Sequence, residues 1–167
     1  MQILFGLRAA LSFGLGVLIT FTQAHTYGVG SAVLAGFGLL LGLSSLGYVL
    51  RVKKFQWVIP LLIIATLVGV LALVTFINQA LQEVLFLPLV ALFGLSFAAF
   101  EGYLARRHRG SSPLGRDFAI SSVLSLALGL VFLLAPLDEV SAVGFLGAYL
   151  AISGVFWGIT AASPQPK

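Results

Sequence analysis

The sequence predicts an all-α membrane protein whose six transmembrane helices form three repeated helical hairpins, with both termini on the cytoplasmic side. Three observations lead there. Of 167 residues, 60% are hydrophobic and only 8% charged, whereas soluble domains carry about 25% charged residues. A soluble fold of this size would leave roughly a third of its unfolded surface facing water, so bilayer hydrocarbon is the solvent that suits this composition. The apolar residues gather into six runs, near 3–22, 28–50, 56–77, 84–104, 118–136 and 140–161. The nine basic residues fall only near alternate ends of those runs.

Each run is long enough to cross, because about 20 apolar residues in a helix span roughly 30 Å of hydrocarbon. Six spans use most of the chain and leave one transmembrane domain, 1–167, with hairpins at about 3–50, 56–104 and 118–161. Strands are not expected: a barrel strand alternates polar and apolar residues, whereas Leu61-Leu62-Ile63-Ile64-Ala65 is apolar on every side. Arg8 lies near the start of the first helix. Arg51, Lys53 and Lys54 separate the second and third, Arg106, Arg107, Arg109 and Arg116 separate the fourth and fifth, and Lys167 is in the tail. The loops near 23–27, 78–83 and 136–139 carry no Lys or Arg, and hold His25, Glu83, Asp138 and Glu139 instead. Lys and Arg resist translocation, which assigns the basic side to the cytoplasm. Arg8, the apolar stretch 9–21 and small residues Thr22 and Ala24 have the outline of a cleavable signal. The segment before Arg8 is apolar rather than basic, so the first helix is expected to be retained.

The hairpins carry an internal echo. Gly16-Val17, Gly69-Val70 and Gly129-Leu130 sit in the odd-numbered helices, and 25 or 26 residues later come Gly42-Leu43-Ser44, Gly94-Leu95-Ser96 and Gly154-Val155-Phe156. Lipid tails are as apolar as leucine, so helices associate in membranes through close packing, which small residues permit. Candidates at four-residue spacing are Gly6, Ala10 and Gly14 in helix 1, Gly28, Ala32 and Gly36 in helix 2, and Gly94, Ala98 and Gly102 in helix 4. Helix 5 offers Ser121, Ser125 and Gly129, and helix 6 offers Gly154 and Gly158. Pro60 and Pro88 fall early in their runs, where a missing backbone donor is tolerated.

Ionisable groups deep in a membrane mark ion or proton routes, and the helix middles here lack them. Arg8 and Glu101 come closest, each within about two turns of the basic boundary. Arg8 can snorkel to the headgroups, and Glu101 can pair at the interface with Arg106 or Arg107. Alternatively, Arg8 and Glu101 form a buried pair with each other. His25 and His108 are expected on opposite faces and cannot share a metal, and with no cysteine in the chain thiolate sites are excluded. No phosphate-binding loop, dinucleotide fingerprint or zinc-protease pattern is present. Ser44, Ser45 and Ser153 have no histidine beside them for nucleophilic catalysis, and are expected to bond to backbone or a facing helix. The chain is therefore expected to be no enzyme and to hold no cofactor or metal. His25, Glu83, Asp138 and Glu139 give the non-basic face an acidic cast that suits cation or proton sensing.

The segment Arg116-Asp117-Phe118-Ala119-Ile120, followed by Leu128-Gly129-Leu130-Val131-Phe132-Leu133-Leu134-Ala135-Pro136, has a continuation in Val143-Gly144-Phe145-Leu146-Gly147-Ala148-Tyr149 and Ser153-Gly154-Val155. Together these resemble the short-repeat membrane family that includes the HdeD acid-resistance proteins. Arg8 to Gly16 is similar to the opening of that family's first helix, although Gln23 stands where the family places a proline. The likeness is good over helices 5–6, fair over 1–2 and poor over 3–4. It implies six helices in three hairpins, a bacterial cytoplasmic membrane and a role in stress, and it supplies no catalytic residue. The expected partner is the lipid bilayer. The glycine-rich faces also suit a homo-oligomer or docking onto a larger membrane complex, while a small transporter is the third reading. The net charge of +4 sets orientation and does not indicate nucleic acid.

Overall fold

The computed structural model describes residues 2–51, 58–109 and 113–163; Lys53, Lys54 and Lys167 lie outside them. The described residues form six helices: α1 (Gln2–Phe21), α2 (Tyr27–Arg51), α3 (Val58–Ile77), α4 (Gln79–Arg107), α5 (Pro113–Leu134) and α6 (Glu139–Ala162). All six are long and apolar enough to cross a membrane, so the chain is a multi-pass membrane protein by its helices.

Two elements start earlier than the apolar runs do. Gln79, Ala80, Leu81, Gln82 and Glu83 are all good helix formers, and they belong to α4 rather than to a loop. Asn78 is the whole connection from α3. Its side chain accepts from the Ala80 N–H at 3.2 Å, capping the helix that the polar residues then continue. Likewise α5 opens on Pro113, where proline's missing donor costs nothing. The early start of α4 leaves Pro88 in the helix interior, ten residues in, where it cannot donate to the Val84 carbonyl. Pro60 does stay in the first turn of α3.

The broadest contacts join α2 to α3, α4 to α5, and α1 to α6. Consecutive helices on either side of the 22–26, 78 and 135–138 turns touch more sparingly. Glycines close each broad seam. A Cβ on Gly38 would stand 2.6 Å from the Ala65 carbonyl and from Gly69 Cα, and one on Gly94 would stand 2.6 Å from Gly129 N. In the third seam Gly16 lies against the Ala151 backbone and Gly154 against that of Phe13. These pairings run antiparallel, and Gln2 Nε2 donates to the Ser163 carbonyl at 3.4 Å, bringing both ends of the described chain to one end of the bundle. Since α1 meets α6, the ring of helices closes. The even-numbered helices bury 44–50% of their spans and the odd-numbered ones 33–39%, so α2, α4 and α6 form the inner set. Gly30 of α2 lies against Phe86 of α4 and Val143 of α6.

The small-residue stripes of the first two helices lie off these seams. Ala10 and Gly14 are exposed, Gly6 and Gly36 face open space, Ala32 is half-buried, and Gly28 meets only the Gln82 side chain. The buried face of α1 is Phe5, Ala9, Ser12, Gly16 and Ile19. It runs one residue out of step with Gly6, Ala10 and Gly14, and one residue is about 100° of helix rotation. By contrast Gly94, Ala98, Ser121, Ser125, Gly129 and Gly154 are buried, while Gly102 and Gly158 are half-buried.

Candidate functional site

Helical periodicity turns two charged side chains inward. Arg8 lies on the α1 face that carries Leu4, Phe5, Ser12 and Gly16, and Glu101 on the α4 face that carries Phe93, Phe97 and Leu104. Each is six residues from the basic end of its helix, a depth of about 9 Å at the α-helical rise. Both are buried, at 3% and 0% exposure. Arg8 Nη2 donates to Glu101 Oε1 in a short ion pair. This corrects two expectations: Arg8 does not snorkel, and Glu101 does not pair with Arg106 or Arg107. Those two arginines are exposed at the end of α4, where Arg107 Nη1 donates to the Tyr103 hydroxyl at 3.4 Å.

Neighbouring helices complete the pair's surroundings. The Arg8 guanidinium sits 4.4 Å from the Trp157 ring centroid and 5.3 Å from that of Phe97, within range of cation–π attraction. The Ser125 hydroxyl donates to Glu101 Oε2 at 3.1 Å and exchanges a 2.9 Å hydrogen bond with the Tyr149 hydroxyl. Trp157 Nε1 donates to Ser121 Oγ at 3.2 Å. One connected set of polar groups thus reaches into α1, α4, α5 and α6. Because the two charges cancel, the interior stays formally neutral, which is the condition under which ions tolerate burial. Closer to the basic end, Thr160 Oγ1 donates to Asp117 Oδ2 at 3.1 Å.

Beyond Tyr149 the interior becomes aromatic. Phe93 meets Tyr149 edge-on at 5.8 Å and Phe97 at 4.7 Å, and Phe37 meets Phe93 at 5.6 Å. Tyr27, Phe86 and Phe132 continue the packing, with centroid separations of 5.3 and 6.3 Å. The polar network therefore stops part-way across. Its loose ends are Arg8 Nε and Ser12 Oγ, one turn apart on α1, which have no hydrogen-bond partner among the described residues, as is also true of Ser31 and Ser45 on α2. Ser44 does bond to backbone, donating to the Leu41 carbonyl at 2.9 Å; Ser45 does not.

The acidic residues of the opposite end are also brought together. Glu139 Oε1 accepts from the Tyr27 N–H at 2.6 Å, so a side chain at the start of α6 caps the start of α2. The carboxylates of Glu139, Asp138 and Glu83 all act electrostatically on the Tyr27 phenol. Asp138 accepts from the Ser141 N–H at 2.7 Å as the N-cap of α6. Hydrogen bonds from the Ser141 backbone and hydroxyl hold the Asp138 carboxyl below its ordinary range. His25 is half-exposed, two residues before Tyr27. His108 is at the other end, its ring 6.2 Å from that of Phe118. Among the described residues, no three His, Cys, Asp or Glu side chains gather in a way that could hold a metal.

Sequence reasoning missed Ser125, Tyr149 and Trp157 as partners of the charges. Their signal was the face they share: Ser121, Ser125 and Gly129 recur on one side of α5, as do Leu146, Tyr149, Ser153 and Trp157 on α6. No protein-family model, curated protein or solved structure matches the chain.

Proposed function

We propose that the chain is a non-enzymatic, HdeD-like multi-pass protein of a bacterial cytoplasmic membrane that serves in acid or envelope stress. In this reading its three hairpins are repeats of one unit, and both termini face the cytoplasm. The equivalent glycine-lined seams between hairpins support the repeat. The gathering of Arg51, Arg106, Arg107, Arg109 and Arg116 at one end supports the orientation. A thiol-specific impermeant reagent added to intact cells should label Gln79→Cys and leave Ser163→Cys unlabelled; the reverse would invert the topology.

The observation that carries the stress reading is the Glu139–Tyr27 contact. At the acidic end the first and third hairpins are joined through a carboxylate that must be ionised to act as a full-strength cap. Negative charge is stabilising at a helix N-terminus, and Asp138 and Glu139 sit at the start of α6, while Glu83 lies one turn into α4. An exterior acidic enough to protonate Asp138 removes the charge of its cap and loosens the first turn of α6. In this reading the chain turns nothing over: Arg8, Glu101, Ser125 and Tyr149 bond to one another across α1, α4, α5 and α6.

The test is survival at low external pH of a strain lacking the protein, complemented with wild type or with Glu83→Gln, Asp138→Asn and Glu139→Gln combined. Wild type should restore survival and the triple variant should not. An unaltered deletion strain removes the acid role and favours a subunit that docks onto a larger complex. Solute or ion flux through liposomes containing the purified protein would replace both with a transporter.

A further inference from the structure

The basic end of the bundle carries an unbalanced charge in a particular setting. The chain has five acidic residues. Glu101 is taken by Arg8, Asp117 by Thr160 and Arg116, and Glu83, Asp138 and Glu139 sit at the other end. No acidic side chain is left there for Arg51 or Arg106, both exposed and both without an ion-pair partner among the described residues.

Each of these arginines closes a groove open to the lipid side. Between α4 and α5 a cavity of about 460 Å³ has Leu95, Ala99 and Leu126 along it, and Gly102, Tyr103 and Arg106 at its basic end. Between α1 and α2 a second, of about 330 Å³, has Ile3, Leu4 and Leu7 on one wall and Gly47, Tyr48 and Arg51 on the other. The two share a sequence: Gly47-Tyr48-Val49-Leu50-Arg51 and Gly102-Tyr103-Leu104-Ala105-Arg106. Glycine and arginine four apart, with tyrosine three before the arginine, fall on one helix face. The glycine keeps the groove open: a Cβ on Gly47 meets nothing within 4 Å, and one on Gly102 meets only Ser122 Oγ at 3.1 Å. A groove between α5 and α6 has the same apolar character, lined by Leu124, Val131 and Phe145 among others, but carries no basic residue.

We propose that the two Gly-Tyr-x-x-Arg grooves are binding sites for an anionic phospholipid, whose phosphate rests on Arg51 or Arg106 and whose acyl chain lies along the groove. The chemistry is matched at both ends of such a ligand. Guanidinium binds phosphate oxygens in a fork, tyrosine favours the headgroup level, and basic pockets between membrane helices select acidic lipids. The third groove, lacking the arginine, holds a chain without selecting its headgroup.

The experiment is native mass spectrometry of the full chain in detergent, titrated with phosphatidylglycerol or phosphatidylcholine. Two phosphatidylglycerol molecules should be retained in preference to phosphatidylcholine. Arg51→Gln and Arg106→Gln should each remove one, with affinity falling about ten-fold or more at each altered site. Gly47→Leu and Gly102→Leu should have the same effect with the arginines in place, because they fill the grooves. Arg116→Gln should change nothing. Equal retention of the two lipids, equal loss on Arg116→Gln, or displacement by millimolar inorganic phosphate would each overturn the proposal: the first denies charge selection, the second denies a defined site, and the third makes the ligand a free anion.

Discussion

The two ends of the bundle interior are held by different forces. Towards the basic end Arg8, Glu101, Ser125, Tyr149, Ser121 and Trp157 make directional contacts that need α1, α4, α5 and α6 in a single register. Towards the acidic end Phe37, Phe86, Phe93 and Phe132 fill the same space with rings. In a bilayer those rings gain little by leaving lipid, so their contribution is packing alone, and packing tolerates exchange among residues of similar volume. The polar end tolerates no such exchange one residue at a time, since a charge left without its partner is costly. Specificity of arrangement is therefore concentrated in one half of the molecule, and bulk cohesion is spread through the other.

The sharpest way to break that contrast is at the ion pair. Arg8→Leu or Glu101→Leu alone should destabilise by about 3–5 kcal/mol, because each strands a buried charge. The double substitution should cost much less than the sum of the two, and reversible unfolding in mixed micelles measures all three. If the single losses simply add, the pair is not coupled and the directional half has no special status. A smaller effect is expected at the seams that both halves share. Gly94→Leu drives a side chain into Gly129 and Ser125 backbone and should cost about 1–3 kcal/mol. Gly14→Leu, which meets open space, should stay within about 0.5 kcal/mol of wild type; equal tolerance of the two would dissolve the seams. The smallest effect concerns acid. The depressed Asp138 carboxyl contributes stability in full above the unfolded carboxylate range near pH 4, and loses it as pH falls through its lower folded value. Asp138→Asn, whose cap does not titrate, should flatten the thermal-midpoint profile below that pH and leave it nearly unchanged at neutrality. An identical profile in the variant would mean that Asp138 takes no part in the acid response.

How much of this the sequence disclosed depended on which question each residue answered. Span number followed from hydrocarbon thickness and apolar run length, and the six helices appear within a few residues of the expected limits. The exceptions, α4 and α5, start among Gln79–Glu83 and Pro113–Asp117, because polar helix formers and a first-turn proline extend a helix beyond its apolar stretch. Which face of a helix is inward was harder. In α1 the four-residue rule selected Gly6, Ala10 and Gly14, yet the 3.6-residue period of Phe5, Ser12, Gly16 and Ile19 determines the buried face. Arg8 belongs to that period, and Glu101 belongs to the matching one in α4. Measuring distance from the membrane boundary favours snorkelling for Arg8 and an interfacial partner for Glu101; following the two faces favours the alternative, their buried pair. The Gly-Tyr-x-x-Arg repeat was legible in the letters but meant nothing until the grooves beside it were seen.

The closure of α1 onto α6 has a consequence for how the protein is made. The helix α1 finds its broadest contact only with α6, and Gln2 meets Ser163 at a separation of 161 positions. Arg8 must likewise wait through 93 residues for Glu101. During synthesis α1 is therefore a helix with an unmet charge, held near the headgroups by its own arginine, and it can settle to its final depth and rotation once the second hairpin has been inserted. A nascent chain arrested before Glu101 should present Arg8 to reagents that the finished protein, with Arg8 buried against Glu101, excludes.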